Sequence, residues 1–171
     1  RDLSLTVERG ERIALKGENG CGKSTVLKLL TGELTAQSGI VRIPNDLRIS
    51  YLPQNVSGIC GTVAEYAAAR GAEPSLVMAI LNKFNLRSEL FSRDISEYSD
   101  GQKKKVALAV SLATPAHLYI WDEPLNFIDL VSRIQLEELL LEYRPTLLFV
   151  EHDAAFRRNI ATRTVELSRP R

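Results

Sequence analysis

A chain of 171 residues with 44% hydrophobic and 25% charged side chains has the makeup of one globular domain with its own core, which excludes a disordered or fibrous protein. Its net charge of +1 announces no nucleic-acid partner in bulk, although a local basic patch is compatible with that total. Cys21 and Cys60 lack metal-like spacing, which fits a reducing, cytoplasmic setting, and no apolar run approaches the roughly 20 residues needed to cross a bilayer.

The sequence opens at Arg1 with no Met and runs straight into the alternation Leu3 to Val7, a strand pattern entered mid-fold. It reads as a fragment of a longer protein, one domain over residues 1–171. Glu8 to Glu11 supplies a turn, and Arg12 to Lys16 is the next strand. A glycine-rich loop follows, then a helix from about Lys23 to Leu30. Ile40 to Ile43 and Arg48 to Leu52 read as short strands. From Thr62 to about Phe91 the apolar residues recur at helical spacing. The polar stretch Ser96 to Gln102 opens a helix that runs through Ala113. Leu118 to Trp121 and Thr146 to Val150 are continuous apolar runs, as buried parallel strands require. Between them lies an amphipathic helix, Leu130 to Tyr143, and Thr164 to Leu167 makes a last strand. Strands alternating with helices predict a doubly wound α/β fold with a parallel sheet. The helical middle, residues 55–113, reads as a subdomain inserted into it.

Gly17-Glu18-Asn19-Gly20-Cys21-Gly22-Lys23-Ser24 fits the phosphate-loop pattern G-x-x-x-x-G-K-[ST]. It follows an apolar strand and precedes a helix, which is the context that pattern demands. Glycines let the backbone curl so that N–H groups face phosphate oxygens, and the helix adds its N-terminal partial positive charge. Lys23 is placed to reach the β- and γ-phosphates of ATP, and the Ser24 hydroxyl to ligate Mg²⁺. Thr25 completes the nucleotide-contacting run. Cys21 reads as a small neutral filler, exposed enough to serve as a chemical handle.

The strand Leu118 to Trp121 ends in Asp122-Glu123. A strand that merely ends in polar residues is common. Coupled to a phosphate loop upstream, a carboxylate at the carboxyl end of a buried strand faces the ligand crevice of an α/β sheet. Asp122 then holds Mg²⁺, and Glu123 activates the attacking water as a general base.

At this point the chain resembles the ATP-binding cassette (ABC) family over essentially its whole length. Ser99-Asp100-Gly101-Gln102 resembles the family's Ser-Gly-Gly-Gln signature, and Gln54 after Tyr51-Leu52-Pro53 resembles its Q-loop glutamine. Asp129 resembles the D-loop aspartate, and His152 the switch histidine. The resemblance implies a P-loop NTPase core with an antiparallel β edge. It also implies a head-to-tail pair of cassettes enclosing two ATP molecules. The phosphate loop of one cassette faces Ser99, Gly101 and Gln102 of the other. His152 then contacts the γ-phosphate, and Gln54 the metal or the water.

Within the family the chain is most similar to the ABC-F class of twin-cassette, non-membrane proteins that act on ribosomes. Glu123-Pro124-Leu125-Asn126-Phe127-Ile128-Asp129 resembles that class's Glu-Pro-Thr-Asn-His-Leu-Asp, with Asn126 where transporter cassettes usually carry Ser. His152-Asp153-Ala154-Ala155-Phe156 resembles its His-Asp-Arg-x-Phe, and residues 55–98 are compact. The implied partners are a second cassette and the ribosome with its RNA, with antibiotic resistance as the role; the alternative is a transporter ATPase subunit docked on a membrane permease. Leu125 and Phe127 depart from the class pattern as its resistance members do, and Asp100 replaces a signature glycine. The aromatic that stacks on adenine lies upstream of the sequence in that family. The lack of an arm insertion after Gln54 and the pair Glu151-His152 lean toward the second cassette. Lys103-Lys104-Lys105 reads as a solvated first helical turn, with contact to ribosomal RNA phosphate as the alternative.

Overall fold

The computed structural model describes residues 3–167. Its centre is a five-stranded sheet in the order β2-β3-β4-β1-β5. The strands are β1 Arg12–Lys16, β2 Ile49–Leu52, β3 Leu118–Asp122, β4 Leu147–Val150 and β5 Arg163–Glu166. Every neighbouring pair is parallel. A parallel pair cannot be closed by a tight turn, so each step needs a crossover. These are α1 Lys23–Leu30, then α2 Val63–Ala69, α3 Pro74–Lys83 and α4 Asp100–Ala113 together, then α5 Leu130–Tyr143, then α6 Ala154–Ile160.

Helices on both faces explain the apolar strands. All four residues of β4 are buried. On one face Ile13, Leu15, Ile120, Leu148 and Val150 close over Leu27 of α1. On the other, Leu52, Trp121 and Phe149 share one apolar cluster with Val63, Val77, Leu81, Phe84 and Val106 of the helical stretch. The indole of Trp121 donates to Ser111 Oγ at 2.9 Å, and Ser111 also meets Ser50 Oγ at 2.8 Å. A buried polar bracket of this kind leaves none of its members unsatisfied and fixes α4 against β2 and β3.

Parallel registration brings all the carboxyl ends of the strands to one edge. Leu52 pairs with Trp121, Asp122 with Val150, and Leu15 with Val150. The segments that leave these ends begin at Pro53, Glu123, Glu151 and Gly17, so the sheet itself collects residues far apart in sequence.

The sequence expectation of an antiparallel edge is not met among the described residues. Residues 3–7 and 40–43 form no strand. Leu3, Ile40 and Val41 are exposed, while Leu5 and Val7 pack against the apolar cluster that includes Leu27. Alternation supplies one covered face, but a strand also needs a neighbour for its backbone groups. The helical run from Thr62 is interrupted where Gly71 takes a φ of 71° and Pro74 restarts the helix at its first turn. The helix α6 has no counterpart in the sequence expectation; Asp153 caps it by accepting from Phe156 N at 2.8 Å.

Candidate active site

The loop from Gly17 to Gly22 leaves β1 and enters α1. Glu18, Asn19 and Gly20 form its exposed rim. Gly20 and Gly22 hold φ of 79° and 100°, a region side chains rarely adopt. A Cβ on Gly17 would lie 2.6 Å from Leu167 O, so the loop is seated against the strand-end backbone. No side chain caps α1, which leaves its first N–H groups and its dipole for an anionic ligand. Lys23 is buried, and its Nζ donates to Gly17 O at 2.8 Å and Glu18 O at 3.0 Å, which folds the ammonium back over the loop. Ser24 and Thr25 are exposed on the first turn. Cys21 is buried rather than available. Its thiol packs under the loop, where a Cβ on Gly17 would meet Sγ at 2.5 Å, so it fills space and offers no handle.

Asp122 closes β3 and is almost wholly buried. Burial pushes its carboxyl up, while a hydrogen bond from Ser24 and the cations Lys104 and Lys23 pull the other way. The Ser24–Asp122 contact joins the phosphate loop to the end of β3.

Glu123 follows with a φ of 51°. A non-glycine residue there costs about 1–3 kcal/mol and persists only where its surroundings over-determine it. Its N–H donates to Val150 O at 2.9 Å. Its Oε2 accepts from Gln54 Nε2 at 2.8 Å and from Asn126 Nδ2 at 2.6 Å, and its Oε1 lies 3.3 Å from His152 Nε2. Three strand ends therefore converge on one carboxylate: Gln54 after β2, Glu123 after β3 and His152 after β4.

Glu151 was missed as a site residue. It is buried, and accepts from Leu125 N at 3.1 Å, His152 N at 2.7 Å and Asp153 N at 3.1 Å. It thus ties the loop after Glu123 to the loop that carries His152. Its position directly after a buried strand is the same signal that singled out Asp122.

Ser99 and Gln102 cap their own helix. Ser99 N donates to Gln102 Oε1 at 3.0 Å, and Gln102 N to Ser99 Oγ at 3.3 Å. Gly101 is required by proximity, since a Cβ there would lie 2.7 Å from Phe127 O. The contact of the signature turn within its own chain is thus to the loop after β3, while Ser99 and Asp100 stay exposed.

The family model described as ABC transporter matches residues 1–126. The chain belongs to the ABC transporter family. Among curated relatives, ABC transporter F family member 5 of Arabidopsis thaliana is 34% identical over 98% of this chain and 25% of its own length. ATP-binding protein Uup of Haemophilus influenzae is 36% identical over 95% of this chain and 26% of its own length. The chain thus spans about a quarter of the length of these relatives. Among solved structures, an ATP-binding subunit of an ABC transporter superposes with a TM-score of 0.84 at 25% identity, over 97% of this chain and 78% of that one. The archaeal ribosome recycling factor aABCE1, in complex with ribosomal stalk protein aP1, gives 0.78 at 28% identity over 94% of this chain and 32% of that one. The fold and the match together make it an ABC cassette, similar in sequence to F-family members.

The cassette does not leave Lys103 to Lys105 as a solvated turn. Lys104 is fully buried, and its Nζ donates to Pro53 O at 3.3 Å and Gln54 O at 3.2 Å. Desolvation lowers its pKa to about 8, against the pull of Asp122, Glu123 and Glu151. Lys105 donates to Phe84 O at 2.8 Å and pairs with Asp129. The contact with RNA phosphate weighed for this run has no free ammonium at Lys104.

Asp129 caps α5, accepting from Ser132 N at 3.0 Å. Partial burial pushes its carboxyl up, but Lys105 and Ser132 outweigh that and hold it down at about 2. Asp129→Ala should therefore destabilise the cassette by about 1–2 kcal/mol in urea unfolding at neutral pH, the usual cost of a lost N-cap. The folded value lies below the ordinary 3.8, so the difference is present above that range and fades as pH falls toward about 2. Equal urea midpoints at pH 7 would remove Asp129 from the fold's supports.

Among the described residues no helix is long and apolar enough to cross a membrane.

Proposed function

We propose that this cassette is one half of a head-to-tail nucleotide sandwich in a cytoplasmic, twin-cassette ABC-F ATPase that works on the ribosome. The observation that carries the hydrolytic part is the convergence of Gln54, Asn126 and His152 on the Glu123 carboxylate. In this reading Lys23 and the amides of Gly17 to Thr25 hold the phosphates of ATP. Among the described residues no three His, Cys, Asp or Glu side chains form a metal-binding group. The donor set of Ser24, Asp122 and Gln54 fits an ion such as Mg²⁺, which takes few protein ligands and completes its shell with phosphate and water oxygens. Bound there, Mg²⁺ supplies neutralisation of charge on the phosphates. Glu123 takes the proton of the attacking water, and Gln54, Asn126 and His152 hold that carboxylate in place. His152 also contacts the γ-phosphate. Ser99, Gly101 and Gln102 present the start of α4 to the partner cassette's nucleotide. Residues 55–113 act as a helical subdomain that carries this signature, all within one domain over 1–171.

Three things support the ribosomal part. The relatives include F-family members, Asn126 stands at the position of the class asparagine, and one similar structure is a ribosome recycling factor bound to a stalk protein. Protection of the ribosome from antibiotics is the role that the departures at Leu125 and Phe127 favour. The test is fractionation of lysate carrying the full-length protein with a non-hydrolysable ATP analogue or with ADP. The expected result is co-sedimentation with ribosomes only in the analogue. Recovery with membranes in both nucleotides would replace this role by that of a transporter subunit.

A further inference from the structure

Lys104 is a buried cation that the hydrolytic scheme does not use. It lies on the buried stripe of α4 with Ala107, Leu108 and Ser111. A lysine is almost never fully buried unless its charge is answered. Here the answer comes from two directions. Backbone carbonyls of Pro53 and Gln54 accept its hydrogen bonds at 3.3 and 3.2 Å. Asp122, at the end of β3, and Glu123 and Glu151, directly after β3 and β4, attract it electrostatically.

The peptide it grips is the one that leads into Gln54, whose side-chain amide reaches Glu123 Oε2 at 2.8 Å. The helix it stands on is the one whose first turn carries Ser99 and Gly101. One side chain therefore spans from the second turn of the signature helix to the backbone that aims the glutamine at the general base. Gln54 is exposed, so its side chain has no wall of its own to fix it. Beside its bond to Glu123, its place is set by its backbone, and Lys104 holds the carbonyls of Pro53 and Gln54 on either side of that residue's Cα.

We propose that Lys104 is a positioning residue for ATP hydrolysis: it fixes the Pro53–Gln54 backbone to α4, so that the Gln54 amide keeps the Glu123 carboxylate in the attacking geometry. The inference rests on the assignment of Gln54 and Glu123 made above. It makes the register between the signature helix and the base depend on a side chain that touches neither ATP nor the reacting water.

The test is a double-mutant cycle on the full-length protein, with Lys104→Met, Gln54→Ala and the pair, read as kcat and KM for ATP and as binding of a fluorescent ATP analogue. Lys104→Met should lower kcat roughly 10-fold, as expected for losing hydrogen bonds made by a charged group. Analogue binding and KM should stay within about 2-fold, because Lys104 touches no phosphate. In the Gln54→Ala background the same change should cost nothing further. Lys104→Arg, which keeps charge and donors, should recover part of kcat. A merely structural lysine would multiply its loss with that of Gln54→Ala, and that result, or an unchanged kcat, overturns the proposal while leaving the site assignment intact. If Gln54→Ala alone leaves kcat unchanged, the assignment of Gln54 falls and the proposal with it. Should Lys104→Met not fold, Lys104→Gln, which keeps one donor without the charge, is read through the same cycle.

Discussion

Lys23→Ala should abolish useful ATP binding while leaving the cassette folded. The ammonium sits over the loop on the carbonyls of Gly17 and Glu18, at 2.8 and 3.0 Å. It is the one cation inside the phosphate-loop run. Without it the phosphate loop itself would offer only backbone N–H groups and the partial charge at the start of α1, which is worth about 0.3–2 kcal/mol. Losing one partner of a desolvated, hydrogen-bonded charge pair costs about 2–5 kcal/mol, so affinity should fall by roughly 30- to 4,000-fold. The fold should tolerate the change because Lys23 donates only to loop carbonyls, and the apolar contacts of α1 run through Leu27. Calorimetry with Mg-ATP on the variant checks this, with circular dichroism as the control for folding. Unchanged affinity in a folded variant would refute the role given to Lys23.

Much of this site was legible because its parts are local. The phosphate loop is a contiguous run, and Asp122-Glu123 announces itself by ending an apolar strand. The helix expected over Leu130 to Tyr143 is α5 with the same bounds, and the structure adds that Asp129 caps it. What escaped depends on neighbours. Lys104 looks like one lysine of a charge run, yet it shares a stripe with Ala107, Leu108 and Ser111, all buried; the three- and four-residue spacing was there to be read. Lysine is ordinarily solvated, but that rule fails where the backbone carbonyls after β2 and three carboxylates at the ends of β3 and β4 answer its charge. Cys21 misled in the opposite sense, since a loop position implied exposure and the close seating of Gly17 buried it. The segments 3–7 and 40–43 carry strand-like residues but no partner, and pairing is not a property of one segment. The convergence of Gln54, Asn126 and His152 on Glu123 follows from the parallel register, which no single motif encodes.

Glu123→Gln should slow hydrolysis by roughly 10²–10⁴-fold, the usual worth of a general base, and should leave ATP binding intact. The substitution keeps size and polarity but removes the acceptor of the water's proton. Its effect on the fold should be small, because the 51° φ of residue 123 is fixed by the backbone. Its N–H is held by Val150 O at 2.9 Å, and its own carbonyl faces Asn126 N at 3.4 Å. What changes is the polar cluster. Two amide donors, Gln54 Nε2 at 2.8 Å and Asn126 Nδ2 at 2.6 Å, now converge on Oε2, and a glutamine must turn its carbonyl oxygen to both. Its remaining NH₂ then points toward His152, which lies 3.3 Å from the other oxygen of the native carboxylate. The variant therefore keeps the geometry that closes around ATP and lacks the step that reopens it, so the ATP-bound, closed pair of cassettes should accumulate when the matching glutamate of the second cassette is changed as well. Single-turnover hydrolysis and size-exclusion chromatography in Mg-ATP measure the two halves of this claim. A rate within about 10-fold of wild type would mean that another group removes the proton, and Glu123 would then be a structural anchor for Gln54 and Asn126 rather than the base.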